Sequence, residues 1–311
     1  MATRPLTVNN IRTRYKLSYD AILAAQAWVG LARKVESDQP DGENYGTTGG
    51  IKGMSEKHGE DTRETVVSSS YHLNNRDFHS GFTVKGRNWR FNKTGDTWDN
   101  VDKLALNAAA HPGDLLQELI VAGDSTLGPD GENFFDTDHP TTSGTTMSND
   151  LSGGVYNVSS TTVVTANEWA NILFDMATAM QFFTDDAGIK VNLGVKDFTV
   201  SVTKVLYPSL LKALAQNFIG SGESNPIAAV GQWTFSPQLL TSSSATDTYV
   251  TMTANNRSAY VYQELENPSA LIILGEDSEQ YKKQDILEFT ARGTYNVGFD
   301  RWQGACLATL S

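Results

Sequence analysis

From Trp98 to Ala122 the apolar residues Val101, Leu104, Ala105, Ala108, Leu115, Leu116, Leu119 and Ile120 fall three or four apart, on one face of a helix. The phase survives Pro112. The stretch is therefore either one kinked helix or two, the second opening with Pro112 at its first position and Asp114 in its first turn. Gly123 is a helix stop. A second helix is announced by Thr165-Ala166-Asn167-Glu168, a capping box, and carries Trp169, Ile172, Leu173, Met176, Met180 and Phe183 on one face. Tyr19, Ile22, Leu23, Ala27 and Leu31 have helical spacing, as do Leu210, Leu211, Leu214 and Phe218 after Pro208, ending near Gly220. Phe198, Val200 and Val202 alternate as in a strand. Trp233-Thr234-Phe235, Ala259–Tyr262, Leu271–Leu274 and Asp285–Gly298 read as further strands.

Between these elements lie polar stretches. Residues 37–62 are rich in Gly, Ser, Asp and Glu and cannot bury enough surface for a core of their own. They read as an arm or loop, ordered only against something else. Thr141–Thr162 reads as loop with room for a short strand. Thr65–Lys93 reads as a β-hairpin or a long β-arm, with Asn74-Asn75 and Gly81 able to turn the chain. In an extended chain Lys85, Arg87, Trp89, Phe91 and Lys93 would share one face, with Arg90 opposite. Such a basic-aromatic face suits single-stranded nucleic acid, or else it is a solvated hairpin.

Charge narrows these options. The 311 residues carry a net charge of −12, from 24 basic and 36 acidic residues. Residues 1–120 hold 15 of each, so the whole excess of acid lies beyond them. An acidic body repels phosphate, which argues against sequence-independent gripping of nucleic acid there. The balanced first third can instead dock on the acidic body of a neighbour. No apolar run approaches the roughly 18 residues of a membrane span, and Met1–Asn10 lacks a basic-then-apolar leader pattern. Cys306 is the only cysteine and reads as a buried small residue in a C-terminal strand.

Candidate chemistry concentrates in one place. Asp130, Glu132, Asp136, Asp138 and His139 offer oxygen and nitrogen ligands close together. The spacing is not that of an EF-hand, and one histidine among scattered carboxylates is not a zinc-hydrolase pattern. The simpler reading is a turn whose carboxylates cap backbone N–H groups. His58, His72, His79, His111 and His139 are dispersed, and there is neither a phosphate-binding Gly-rich loop nor a Gly-x-Ser-x-Gly elbow. No catalytic residue, cofactor or bound metal is expected.

The order helix, glycine, Asp130-Gly131 turn, Phe134-Phe135, then His139-Pro140, with Asn149 following, resembles the major head subunit of Mu-like tailed bacteriophages. Asn225-Pro226, Asn267-Pro268, Ala291-Arg292-Gly293 and Trp302-Gln303 resemble that family's later landmarks. The resemblance implies an α+β, Hong Kong 97-type capsid fold. It implies an N-terminal arm and helix at 1–64, an extended β-loop at 65–97 and a peripheral domain with the spine helix at 98–190. An axial domain at 191–280 and strands returning to the peripheral domain at 281–311 complete the expected layout. The implied function is a virion shell of pentamers and hexamers around double-stranded DNA, not bound by sequence. Assembly would take place in the host cytoplasm, with portal, scaffold and decoration proteins as partners and no membrane. In that setting Lys85, Arg87, Trp89, Arg90, Phe91 and Lys93 become candidate contacts to an adjacent subunit. Two alternatives stand beside it: an encapsulin-like compartment for protein cargo, and a metal-dependent hydrolase using Asp130, Asp136, Asp138 and His139.

Overall fold

The computed structural model describes residues 7–48, 68–91, 95–140, 146–152, 156–185, 187–218, 222–225, 227, 233–242, 245–255 and 257–311. The axis of the fold is helix α3, Asp96–Val121, with α1 (Val8–Ala24) packed along it and α2 (Gly86–Arg90) just before it in the chain. At about 1.5 Å per residue α3 is roughly 39 Å long. Its two halves lie on different cores. Val101, Leu104, Ala105 and Ala108 join Ile11, Tyr15 and Tyr19 of α1, while Leu116 and Ile120 join the larger core.

Pro112 does not divide α3: the helix runs through it, with Pro112 and Gly113 both buried. An interior proline ordinarily costs about 3 kcal/mol or more. Burial on either side of the joint offsets that cost. Gly113 is required by close approach, because a Cβ there would stand 2.6 Å from Cδ1 of Trp28.

Five strands form the first sheet. Its centre is the 14-residue strand at Ile286–Phe299. On one side Tyr260–Glu266 pairs with its second half and Leu271–Leu274 with its first half; Arg76–Lys85 runs along its other side. Ala32–Glu36 adds in parallel to Tyr260–Glu266. The second sheet has the order Ala305–Thr309, Tyr249–Ala254, Asp197–Thr203, Thr234–Leu240. In chain order the thirteen described strands are β1 (Ala32–Glu36), β2 (Gly42–Thr48), β3 (Ser68–Asn74), β4 (Arg76–Lys85), β5 (His139–Pro140), β6 (Thr146–Met147), β7 (Asp197–Thr203), β8 (Thr234–Leu240), β9 (Tyr249–Ala254), β10 (Tyr260–Glu266), β11 (Leu271–Leu274), β12 (Ile286–Phe299) and β13 (Ala305–Thr309). Helices α4 (Ala166–Phe182) and α5 (Tyr207–Ala215) pack together beside the second sheet, and α6 (Glu279–Gln284) precedes β12. Every residue of β9 is buried, as expected of a strand covered on both faces. The hydroxyl of Tyr249 on β9 donates to the Ile120 carbonyl at 3.0 Å, which caps the C-terminal end of α3 from the second sheet.

The structure departs from the sequence expectations at α1, which ends at Ala24 and leaves Ala27 in a separate 3-10 turn and Leu31 beyond it, and in several further places. First, β3 and β4 do not form a hairpin. β3 pairs with β2, from Gly42↔Asn74 to Thr48↔Ser68, and β4 pairs with β12. The expected division at 64/65 lies outside the described residues, which omit 49–67. Second, the strand ends at Lys85. Asp285, at φ 53, turns the chain into β12, so the ladder stops at the Lys85↔Ile286 pair and the chain coils into α2. Arg87, Trp89 and Phe91 therefore do not share a strand face with Lys85, and Lys93 lies outside the described residues. Third, α5 stops at Ala215, and Phe218 is exposed rather than on its buried face. Fourth, sheet membership does not change at 280. β10 and β11 already belong with β12, and β13 belongs to the second sheet. Long-range pairing decides this, and local propensity does not encode it.

Two outcomes follow. Gly113→Ala should destabilise the protein by about 1–3 kcal/mol in thermal or denaturant unfolding, despite alanine's better helix propensity, because the added methyl overpacks Trp28. The second concerns the α4 cap. Burial alone would raise the Glu168 carboxyl, but hydrogen bonds from Ser159 and Thr165 outweigh it and lower the pKa from 4.5 to about 2. A depressed carboxyl pKa gives stability that is present above its unfolded value and lost as pH falls through the folded one. Glu168→Gln should therefore lower the melting temperature near neutrality, with the gap to the parent closing between about pH 4.5 and 2.

Candidate functional site

The segment after α3 folds back as a loop held by its own backbone hydrogen bonds, with Asp130 Oδ1 left as a buried atom without a partner among the described residues. Gly131 takes φ 93 at the Asp130-Gly131 turn, and the Gly128 N–H donates to the Glu132 carbonyl at 2.6 Å. Phe134 and Phe135 then enter the core. The Phe134 ring stacks on Phe299 at 4.1 Å, with Phe135 edge-on at 4.9 Å and Tyr260 at 5.5 Å. The exposed Pro140 pairs with Thr146 in the short β5–β6 ladder, which closes the loop.

Beneath this loop lies a buried polar knot. The Asn149 Nδ2 donates to the Phe134 carbonyl at 2.8 Å and to the Trp302 and Ala305 carbonyls at 3.3 Å. Its Oδ1 accepts from the Asp136 N–H at 2.9 Å, and that backbone donor fixes the amide orientation. The His139 Nε2, 3.0 Å from the same oxygen, must then be a donor. Nδ1 of His139 stands 2.6 Å from the Asp130 carboxylate, so a proton is held between the two groups. The imidazole is fully buried and lies flat on Trp302, 4.2 Å away with 5° between the planes. Every edge and one face of the ring are thus committed. This is a clasp joining the loop after α3 to the C-terminal end of β12 and the start of β13, and the ring has no free nitrogen for a metal or a substrate.

The hydrolase reading needs Asp130, Asp136, Asp138 and His139 around one point, and the structure separates them. Asp130 and His139 are tied to each other. The carboxylates that can converge are those of Glu132, Asp136 and Asp138, with ligand atoms within 4.8 Å of one another on the surface. The Asp138 carboxyl is raised by its hydrogen bond to Asp136 and by that group's charge.

The six candidate contact residues meet different fates. Trp89 is half-buried against Phe289 of its own chain, ring centroids 6.1 Å apart. Arg90 donates to the Tyr281 hydroxyl at 2.6 Å and to Asp285 at 3.3 Å, again within the chain. Both contacts are made within the chain, where α2 meets α6 and β12, and Arg90 stays exposed. Lys85, Arg87 and Phe91 are exposed around a concavity of about 900 Å³ between β4, α2 and the start of α3. Sequence reasoning gave Asn149 no role beyond a matching landmark, and nothing in its Ser/Thr-rich surroundings signals burial. It also missed a basic depression built from Arg33, Lys190, Arg257 and Arg301, which are too far apart in the chain to stand out.

Asn149→Ala should lower unfolding stability by about 3 kcal/mol or more, since each buried partner left unmet costs roughly 1–3 kcal/mol. Asp138→Ala should stay within about 0.5 kcal/mol of the parent. Added calcium should not shift either midpoint. A calcium-dependent rise that Asp136→Ala removes would return the metal reading.

Comparison with known proteins places this geometry. A family model described as "Mu-like prophage major head subunit gpT" matches residues 7–169, more than half of the chain. The curated Mu-like prophage FluMu major head subunit of Haemophilus influenzae is 27% identical over 125 residues. That match covers 40% of this chain and 41% of the relative, so it spans less than half the length of either. The capsid of cyanophage P-SCSP1u superposes with TM-score 0.59 at 12% identity, over 91% of this chain and 88% of that one. The procapsid of bacteriophage JBD30 gives TM-score 0.54 at 19% identity, over 97% and 74%. At such identities the structural likenesses carry the fold alone, and that fold is the α+β phage-capsid, Hong Kong 97-type architecture. The loop and clasp from Asp130 to Asn149 lie inside the matched stretch, and the chain belongs to the family of Mu-like prophage major head subunits.

Proposed function

We propose that the protein self-associates into pentamers and hexamers that close an icosahedral shell around double-stranded DNA in the phage head. The observation that carries this is the family match over residues 7–169 together with a capsid fold over nine-tenths of the chain. Members of this family are structural subunits, not enzymes, and the clasped imidazole agrees with that. The same match favours a phage head over a compartment for protein cargo. No helix among the described residues is long and apolar enough to cross a membrane. A portal, a scaffold, decoration proteins and assembly in the host cytoplasm complete the reading. Lys85, Arg87 and Phe91 remain our candidates for contact with an adjacent subunit, and Trp89 and Arg90 are left out as internal contacts.

The full chain, expressed alone or with its scaffold, should sediment as megadalton particles, sheets or tubes and show shells in electron microscopy. A stable monomer or dimer under both conditions would refute the reading. In those particles Arg87→Glu should reduce assembly at low salt, with the gap to the parent narrowing as salt is raised and the subunit's melting temperature unchanged, because exposed ion pairs are weak singly and screened within about 8 Å at physiological ionic strength.

A further inference from the structure

An acidic chain with a concentrated basic surface invites a search for what covers that surface. Arg33, Lys190, Arg257 and Arg301 line a depression of about 540 Å³; among the described residues its one acidic lining residue, Asp300, is already paired with Arg33 at 2.8 Å. Lys190 lies over the Phe182 ring at 4.2 Å. Arg257 and Arg301 have no ion-pair partner among the described residues. Ile189 in the wall of the depression stands 40% exposed, and Leu193, 68% exposed, lines an adjoining depression with Arg257, Lys196 and Asp197. The surface therefore combines uncompensated positive charge with apolar area, on a chain whose net charge is −12.

The reverse combination occurs elsewhere on the same chain. Ile272 and Leu274 of β11 point outward, 41% and 44% exposed, and run directly into Glu276 and Asp277. Glu279 beyond them is held by Lys283, whereas Glu276 and Asp277 have no ion-pair partner among the described residues. The two surfaces cannot meet within one subunit. β12 carries the chain from Glu288, beside Leu274, to Phe299 at the lip of the depression, roughly 35 Å at about 3.3 Å per residue.

Resting on the shell reading above, we propose that the basic depression is an intersubunit socket, and that its occupant is the Ile272–Asp277 corner of a second copy. Glu276 and Asp277 face Arg257, Arg301 and Lys190, and Ile272 and Leu274 cover Ile189 and Leu193. A contact between two different patches of identical chains is heterologous, and such contacts close into rings when the rotation allows. The apolar half of both surfaces favours a protein occupant over the phosphates of packaged DNA, which would leave Ile189 and Leu193 bare.

The test is charge reversal with rescue. Arg257→Glu with Arg301→Glu, and separately Glu276→Arg with Asp277→Arg, should each lower the yield of sedimenting particles about tenfold, the equivalent of about 1.4 kcal/mol per contact. Melting temperature and circular dichroism of the soluble subunit should stay at parental values. The chain bearing all four substitutions should recover most of the yield. In parental particles a carbodiimide should join Lys190 of one copy to Glu276 or Asp277 of another, read by mass spectrometry. Parental shells that form with no such link, and variants that assemble normally, would overturn the socket while leaving the shell reading intact. If only the arginine reversal acts, lowering retained DNA without rescue, the depression is a phosphate site and the proposal fails. A parental chain that neither assembles nor links would remove both readings.

Discussion

The carboxamide of Asn149 is the point where the chain is tied to itself. A buried amide with an unmet donor or acceptor is costly, so its placement demands that several distant backbone groups arrive together. Here they come from the Phe134-to-Asp136 turn, from Trp302 and from Ala305. The backbone of Asn149 adds a further bond, accepting from the Leu307 N–H at 2.9 Å. With these bonds made, the loop after α3 and the last strand of the second sheet hold one relative position. The Asp130–His139 pair on Trp302 reinforces the same junction. Its polar atoms serve rigidity, which is what a shell subunit asks of them.

Helix α3 extends that rigidity across the molecule. One half belongs to the core with α1 and the first part of β12, the other half to the core that includes α4 and the second sheet. Pro112 and Gly113 sit where the two meet, held under Trp28. The Tyr249 hydroxyl fixes the far end of α3 to β9. Burial keeps that phenol neutral, raising its pKa well above the ordinary value. β12 does for the strands what α3 does for the helices, pairing with β11 and β10 in succession along one side and with β4 on the other. Two long elements thus couple two cores.

Charge is arranged on a different scale. The interior is closed by apolar contacts and hydrogen-bonded networks that include the Asp130–His139 pair and the buried Glu264, while other ion pairs lie near the surface, as with Arg14–Asp102 and Arg33–Asp300. Surface pairs add little to folding. Repeated at every subunit of a shell, weak complementary patches add up by multivalency and set which faces meet. An acidic surface with a few local inversions suits assembly that must remain reversible while errors are corrected.

The sequence by itself determined the elements whose signals are local. The apolar stripe of α3, the Thr165–Glu168 cap of α4 and the alternation in β7 all follow from spacing and side-chain chemistry within a few residues. The Asp130-to-Asn149 landmarks marked the candidate site, because glycine, aromatic and proline positions in a tight loop are sequence-bound. Only the tertiary structure decided which strands pair, since β2 with β3 and β4 with β12 are fixed by partners far along the chain. It likewise turned 86–90 into a helix, because the ladder ran out where Asp285 redirected β12, and so gave Trp89 and Arg90 contacts within their own chain. It turned His139 from a possible ligand into a clasp, since only burial between Asp130, Asn149 and Trp302 commits both ring nitrogens. Hydrogen-bond satisfaction and surface charge clustering are properties of residues brought together across the whole chain, and no window of sequence contains them.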